Sequence, residues 1–256
     1  MKYTTLIVGD SLACARPWEG VDLHSTYATQ LQKILGANHT ILNVSAGENT
    51  TKKSTSKKFF RTYINGTNPH FAIIHLGIVD CAPRLMSNFE RLIGAITSRL
   101  PFFRNLFKAY AKLKGRHRFF LTKLFPMTLI PKNIFQKNYK YLIYEILKNN
   151  NTKKIYLINI ASPGSTLLMR SYGIQENIKA YNAVIEELHQ IFQEKTIFID
   201  LYDKTYKNPH WITSSDGHHI KKPAHDWLAD TIGKSILSIL NTDEMPLSLT
   251  EQEETI

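Results

Sequence analysis

Five short apolar runs, separated by stretches of helical periodicity, constrain this chain more than any other feature. Residues 3–9, 40–44, 70–76, 154–160 and 196–200 are rich in β-branched and aromatic residues, and each ends near a turn-forming residue, so they read as strands. Residues 25–35, 174–192 and 222–240 repeat apolar residues at helical spacing. The first of these has Ser25 as a candidate N-cap and Gly36 as a stop. Strands that alternate with helices pair in parallel, and a parallel sheet needs helices on both faces. The pattern predicts an α/β protein with a parallel five-stranded sheet. At 256 residues, a single domain over residues 1–240 is the expectation.

The rhythm breaks once. Residues 77–153 separate the third strand from the fourth, where a single crossover helix suffices. From Arg99 to Lys154 the chain carries 14 Lys and Arg against one acid, Glu145, and residues 100–140 are also rich in aromatics. A helical, basic insertion over about residues 85–150 accounts for this. Its cations either keep its helices solvated or meet an anionic substrate or acidic surface. Residues 241–256 hold five acids, no base and Pro246, and read as an acidic disordered tail on a chain of net charge +11. Cys14 and Cys81 make no disulfide framework, and no apolar run has the length of a membrane span. The first nine residues run straight into a turn, as a strand does and a signal peptide does not. A cytoplasmic location is the expectation.

Two loops carry the chemistry. Gly9-Asp10-Ser11-Leu12 follows the first strand. A serine on a sharp strand-to-helix turn projects its hydroxyl over the carboxyl edge of the sheet, where open α/β folds bind ligands. A serine hydroxyl is a poor nucleophile and needs a base within hydrogen-bond reach. Ser215-Asp216-Gly217-His218-His219 stands near the other end. An Asp three residues before a His on a loop can fold back onto the imidazole, fix its tautomer and stabilise the imidazolium.

The order and spacing of these loops resemble the GDSL/SGNH hydrolase family, and two further blocks join them: Asn43-Val44-Ser45-Ala46-Gly47 and Leu76-Gly77-Ile78-Val79-Asp80. The resemblance spans most of the chain outside the insertion and the tail. It implies a three-layer α/β/α, flavodoxin-like fold and esterase or lipase chemistry on small acyl groups. It assigns Ser11 as nucleophile, His219 as base, Asp216 as its partner, and the N–H groups of Ser11 and Gly47 as oxyanion donors. The family spacing selects His219 over its neighbour His218. The family usually has Asn where this chain has Val79, and Val cannot donate. Asn49 and Arg84 are candidates for a substitute third donor.

Other polar residues admit two readings. Asp10 and Asp80 sit in the matched blocks, where a carboxylate either meets substrate or braces a turn. Arg16 and Arg84 each follow a matched block and suit a bidentate clamp on a carboxylate or phosphate as well as a structural ion pair. His24, His75, His189 and His225 fit no metal-ligand spacing, so no metal and no cofactor are expected. Cys81 reads as a buried thiol. The chain is thus expected to cleave an O-acyl, especially O-acetyl, group from a carbohydrate or other small molecule, with an anionic substrate compatible with the charge. Acyl transfer to a glycan acceptor, and polyanion binding on a hydrolase scaffold, are the alternatives. No nucleic-acid motif is present, so no specific nucleic-acid partner is expected.

Overall fold

A computed structural model describes residues 2–97 and 101–244. Strands β1 (Tyr3–Gly9), β2 (His39–Asn43), β3 (Phe71–His75), β4 (Lys154–Ile158) and β5 (Thr196–Ile199) form one sheet in the order β2-β1-β3-β4-β5. Every pairing is parallel. The predicted strands are all present: β1 has the predicted bounds, β2 lies one residue earlier, and β3, β4 and β5 are one or two residues shorter where the chain leaves the ladder.

Alternation along the strands divides the core in two. On one face Leu6, Val8, Ala72, Ile74 and Leu157 pack under helix α5 (Lys132–Leu147) and helix α7 (Ile174–Ile191). On the other, Ile7, Phe71, Ile73, Tyr156 and Ile158 pack under α1 (Tyr27–Leu35) and α9 (Lys222–Glu244). The result is the three-layer α/β/α architecture, with the sheet buried on both sides as a parallel sheet requires.

Helix α1 starts later than its sequence suggests. Thr26, not Ser25, caps it, its hydroxyl accepting from the Thr29 amide, because Leu23–Ser25 first form a separate 3-10 turn capped by Asp22. Helix α9 continues to Glu244, past residue 240. The first four residues of the predicted disordered tail, 241–244, are therefore helical, and the rest, 245–256, lie outside the described residues.

Between β3 and β4 stand α2 (Asn88–Thr97), α3 (Pro101–Arg116), α4 (Arg118–Leu124) and α5. Of these, α5 is the crossover helix of the sheet itself, with Phe135, Tyr139, Leu142, Ile143 and Ile146 fully buried. Helices α2 to α4 are additional to the sheet's own helices. The chain then continues through α6 (Ser165–Arg170) after β4 and α8 (Leu201–Lys207) after β5. Because β1 is followed by β2 on one side and flanked by β3 on the other, the strand order reverses between β1 and β3. Ligands of open α/β sheets bind at that reversal, beyond the carboxyl ends of the strands.

Candidate active site

Ser11 leaves β1 at the reversal point. Asp10 shapes its turn: Oδ1 accepts from the Leu12 amide at 3.0 Å and Oδ2 from the Gly77 amide at 3.2 Å, so one carboxylate ties the end of β1 to the end of β3. Gly77 sits at φ 141°, a conformation only glycine adopts easily, and a Cβ there would meet the Ile160 side chain at 2.7 Å. Asp10 is fully buried. Burial, with the nearby Asp80 charge adding to it and the amide hydrogen bonds opposing, pushes its carboxyl up to about 7.

The loop from Thr213 to His219 arrives from the far end of the chain. It closes on itself through the Gly217 amide to Thr213 carbonyl bond (3.1 Å) and the Thr213 amide to His219 carbonyl bond (2.8 Å). Gly217 has φ 75°, and a Cβ on it would strike the Leu167 amide nitrogen at 2.5 Å. Only glycine lets this turn pack there.

Within the loop, Asp216 folds back as its spacing suggests. Its Oδ2 accepts from His219 Nδ1 at 2.5 Å, and its Oδ1 accepts from the Thr213 hydroxyl at 2.6 Å and the His218 amide at 3.0 Å. With the proton on Nδ1, His219 Nε2 is an acceptor, and Ser11 Oγ donates to it at 2.9 Å. The fold therefore brings together Ser11, His219 and Asp216 from opposite ends of the sequence. Burial alone would raise the Asp216 carboxyl, but the bonds from His219, His218 and Thr213 outweigh it and hold the group well below the usual carboxylate range.

His218 behaves differently. Its ring stacks obliquely on His219, centroids 3.9 Å apart, and its Nδ1 lies 3.3 Å from Asp216 Oδ1; it lines the cleft around Ser11 but makes no hydrogen bond to the serine. Burial, reinforced by the neighbouring His219, lowers it to about 4. Asp216, His218 and His219 bring potential ligand atoms within 4.8 Å of one another. Two of the three are already engaged with each other and with Ser11.

Around the serine lies a cleft of about 400 Å³ lined by Ser11, Arg16, Gly47, Glu48, Val79, Arg84, Arg118 and His219, among others. The N–H groups of Ser11 and Gly47 donate to no partner among the described residues, which leaves both able to donate to a bound oxyanion. A second hollow shares Glu48, Val79 and Arg84 with the cleft and adds Thr50, Lys52 and Lys53.

The remaining sequence candidates divide. Asn49 is not a donor to the cleft: its amide donates to the Gly9 carbonyl at 2.9 Å and to the Ser54 hydroxyl at 3.1 Å, both internal braces. Asp80 is also a brace. It is fully buried and accepts from the Thr51 hydroxyl at 2.6 Å and the Thr51 amide at 3.1 Å, joining the third block to the segment that follows the second. Burial, partly offset by Thr51 and Arg84, raises it to about 6. Arg16 lines the cleft but is paired, with Nε on Glu19 and Nη2 3.4 Å from Asp216 Oδ2. Arg84 lines the cleft, and its Nη2 donates to the Val79 carbonyl at 2.6 Å. Its guanidinium is thereby tethered beside the residue that occupies the usual Asn position.

Sequence reasoning missed Arg118. It opens α4, donates from Nε to Ser171 Oγ at 2.8 Å and from Nη2 to the Pro83 carbonyl at 3.0 Å, and lines the cleft with Ser11. Its charge lies inside the basic run, which flagged the segment but not the position. Burial, with Arg170 and Arg84 nearby, disfavours its charged form, and no carboxylate pairs with it among the described residues.

No family model and no curated protein sequence matches this chain. Solved structures do. A lipase/acylhydrolase from Enterococcus faecalis superposes with a TM-score of 0.63 at 15% identity, over 93% of this chain and 96% of its own. A catalytic mutant of Axe2, an acetylxylan esterase from Geobacillus stearothermophilus, gives 0.58 at 14% identity, over 92% and 95%. The psychrotrophic esterase EstA from a Pseudoalteromonas species gives 0.55 at 16% identity, over 94% and 100%. Across nearly its whole length, this chain has the three-layer α/β/α fold of these lipase and esterase structures.

Proposed function

We propose that the chain is a serine ester hydrolase that removes an O-acyl group, most simply O-acetyl, from a carbohydrate or other small molecule. The observation that carries this reading is the hydrogen-bonded line from Ser11 Oγ to His219 Nε2 and from His219 Nδ1 to Asp216. In this reading Ser11 Oγ attacks the ester carbonyl carbon while its proton passes to His219 Nε2. Asp216 stabilises the imidazolium. The carbonyl oxygen, now an oxyanion, receives the N–H groups of Ser11 and Gly47. His219 returns the proton to the departing alkoxide, leaving an acyl-serine. Water, deprotonated by the same imidazole, then releases the acid and restores the hydroxyl.

Arg84 is the proposed third donor, since Val79 has no polar side chain and Asn49 is engaged elsewhere. In this reading the substrate carries an anionic group beside the ester that Arg118 holds in the cleft, and Lys52 and Lys53 of the adjoining hollow add positive charge nearby. The esterase and acylhydrolase names of the structural relatives, one of them an acetylxylan esterase, support the ester and carbohydrate parts of the reading.

The test is turnover of p-nitrophenyl esters of increasing chain length and of O-acetylated sugars with and without a carboxylate, with Ser11→Ala as the control. Release of free acid with and without a sugar acceptor separates hydrolysis from transfer. Activity retained in Ser11→Ala defeats the reading.

A further inference from the structure

Helices α2 and α3 expose the faces that helices ordinarily bury. On α2, Phe89, Leu92, Ile93 and Ile96 recur at i, i+3, i+4 and i+7, the stripe that faces a core in a globular protein, yet their exposures run from 39% to 69%. On α3, Phe102, Leu106 and Leu113 share one face and are exposed by 76%, 60% and 56%. The two stripes meet: Ile93 of α2 and Phe103, Leu106 and Phe107 of α3 line one apolar groove of about 560 Å³. Helix α4, which begins at Arg118 on the rim of the cleft, adds exposed Phe119, Phe120 and Leu124. An exposed apolar groove flanked by this many exposed apolar side chains marks an interaction site.

The rest of α3 is cationic. Arg104, Lys108, Lys112 and Arg116 repeat every four residues, a row that starts opposite the apolar stripe at Arg104 and winds to its edge at Arg116. The surrounding segment has 14 Lys and Arg against Glu145 alone. A second copy of the chain would bring two such like-charged hairpins together. An anionic bilayer accepts both halves of the design, taking the aromatic and aliphatic side chains into its headgroup boundary and the flanking cations onto its phosphates. No helix among the described residues is long and apolar enough to cross a membrane, so the seat is on the surface. We infer that α2, α3 and α4 form an interfacial anchor that docks this protein on an anionic lipid surface.

The experiment is flotation of the full chain with phosphatidylcholine vesicles and with vesicles containing about one-third phosphatidylglycerol, at low and high salt. The wild type is expected to float with the anionic vesicles, to lose most of that association at high salt, and to bind neutral vesicles at least about tenfold more weakly. Phe102→Ser/Leu106→Ser/Leu113→Ser removes exposed groups only, so an unchanged melting curve is expected with loss of flotation. Arg104→Gln/Lys108→Gln/Lys112→Gln should abolish the preference for anionic vesicles. Absence of flotation in the wild type overturns the inference, as does equal flotation of the serine variant. A concentration-dependent dimer that the serine variant abolishes, without vesicle binding, overturns it in favour of a self-interface.

Discussion

Arg118 Nη2 donates to the Pro83 carbonyl at 3.0 Å, and this bond couples the basic helices between β3 and β4 to the rim of the serine cleft. The guanidinium serves two purposes in our account, bracing that rim and meeting an anionic group of the substrate. Arg118→Gln keeps a polar side chain but removes the charge. Loss of a charge-assisted bond predicts a fall of about 10–100-fold in kcat/KM for a carboxylate-bearing ester, carried by KM, with a neutral ester nearly unaffected. Steady-state kinetics on the matched pair measure this. An equal fall for both esters would assign Arg118 a bracing role alone.

The Val79 position yields a second prediction. If Arg84 supplies the third oxyanion bond, Arg84→Ala lowers kcat by about 10²-fold on a simple acetyl ester. Val79→Asn in the wild-type background then brings no gain, because the new amide is redundant in a nearly buried position, and it costs stability through an unsatisfied polar group. A clear rise in turnover for Val79→Asn would show that Arg84 does not stand in for the missing amide.

A third prediction separates the two neighbouring histidines. His219 bridges Ser11 and Asp216, whereas His218 touches Asp216 from the side. His219→Ala should lower kcat at least about 10⁴-fold with the fold intact, and His218→Ala should stay within about tenfold of wild type. Kinetics with circular dichroism on both variants decides it, and the reverse order would contradict the assignment.

Stability should depend on pH in a defined direction. Burial lowers His39, His218 and His225 to about 4 and His75 to about 3, from an ordinary 6.5. Between those values the unfolded chain binds protons that the folded chain refuses, so each histidine makes stability fall as pH drops from about 6.5 towards 4. Asp10 and Asp80, raised to about 7 and about 6 from 3.8, act in the opposite sense over the same window, since their folded forms hold protons the unfolded chain releases. Four groups outweigh two, and urea unfolding should show a net loss of stability on acidification. His75→Leu, at a fully buried ring with no hydrogen-bond partner among the described residues, should make that loss shallower. An unchanged slope in this variant would contradict the assignment of His75.

The inner strands β1, β3 and β4 are readable because they are buried over most of their length and therefore mainly apolar, a signal that survives without knowledge of partners. The Asp216–His219 contact was legible because both residues lie on one short loop whose spacing reflects local geometry, whereas its meeting with Ser11, 208 residues away, was implied only by the family resemblance. The roles of Asp10, Asn49 and Asp80 were not legible, because a carboxylate or amide in a matched block looks the same in sequence whether it faces a substrate or a backbone amide. Their true partners, Gly77, Gly9 and Thr51, lie 67, 40 and 29 residues away. Arg118 escaped for a related reason. Its position in the cleft depends on how α4 packs against Ser171 and Pro83, and no periodicity in a basic run encodes that contact.

The central claim is that His219 makes the Ser11 hydroxyl a nucleophile, and covalent labelling by a fluorophosphonate probe tests it most directly because it needs no knowledge of the substrate. Intact mass should show one adduct on the folded wild type, peptide mapping should place it on Ser11, and Ser11→Ala and His219→Ala should both remain unlabelled. An unlabelled wild type, or an adduct on any residue other than Ser11, would contradict the account.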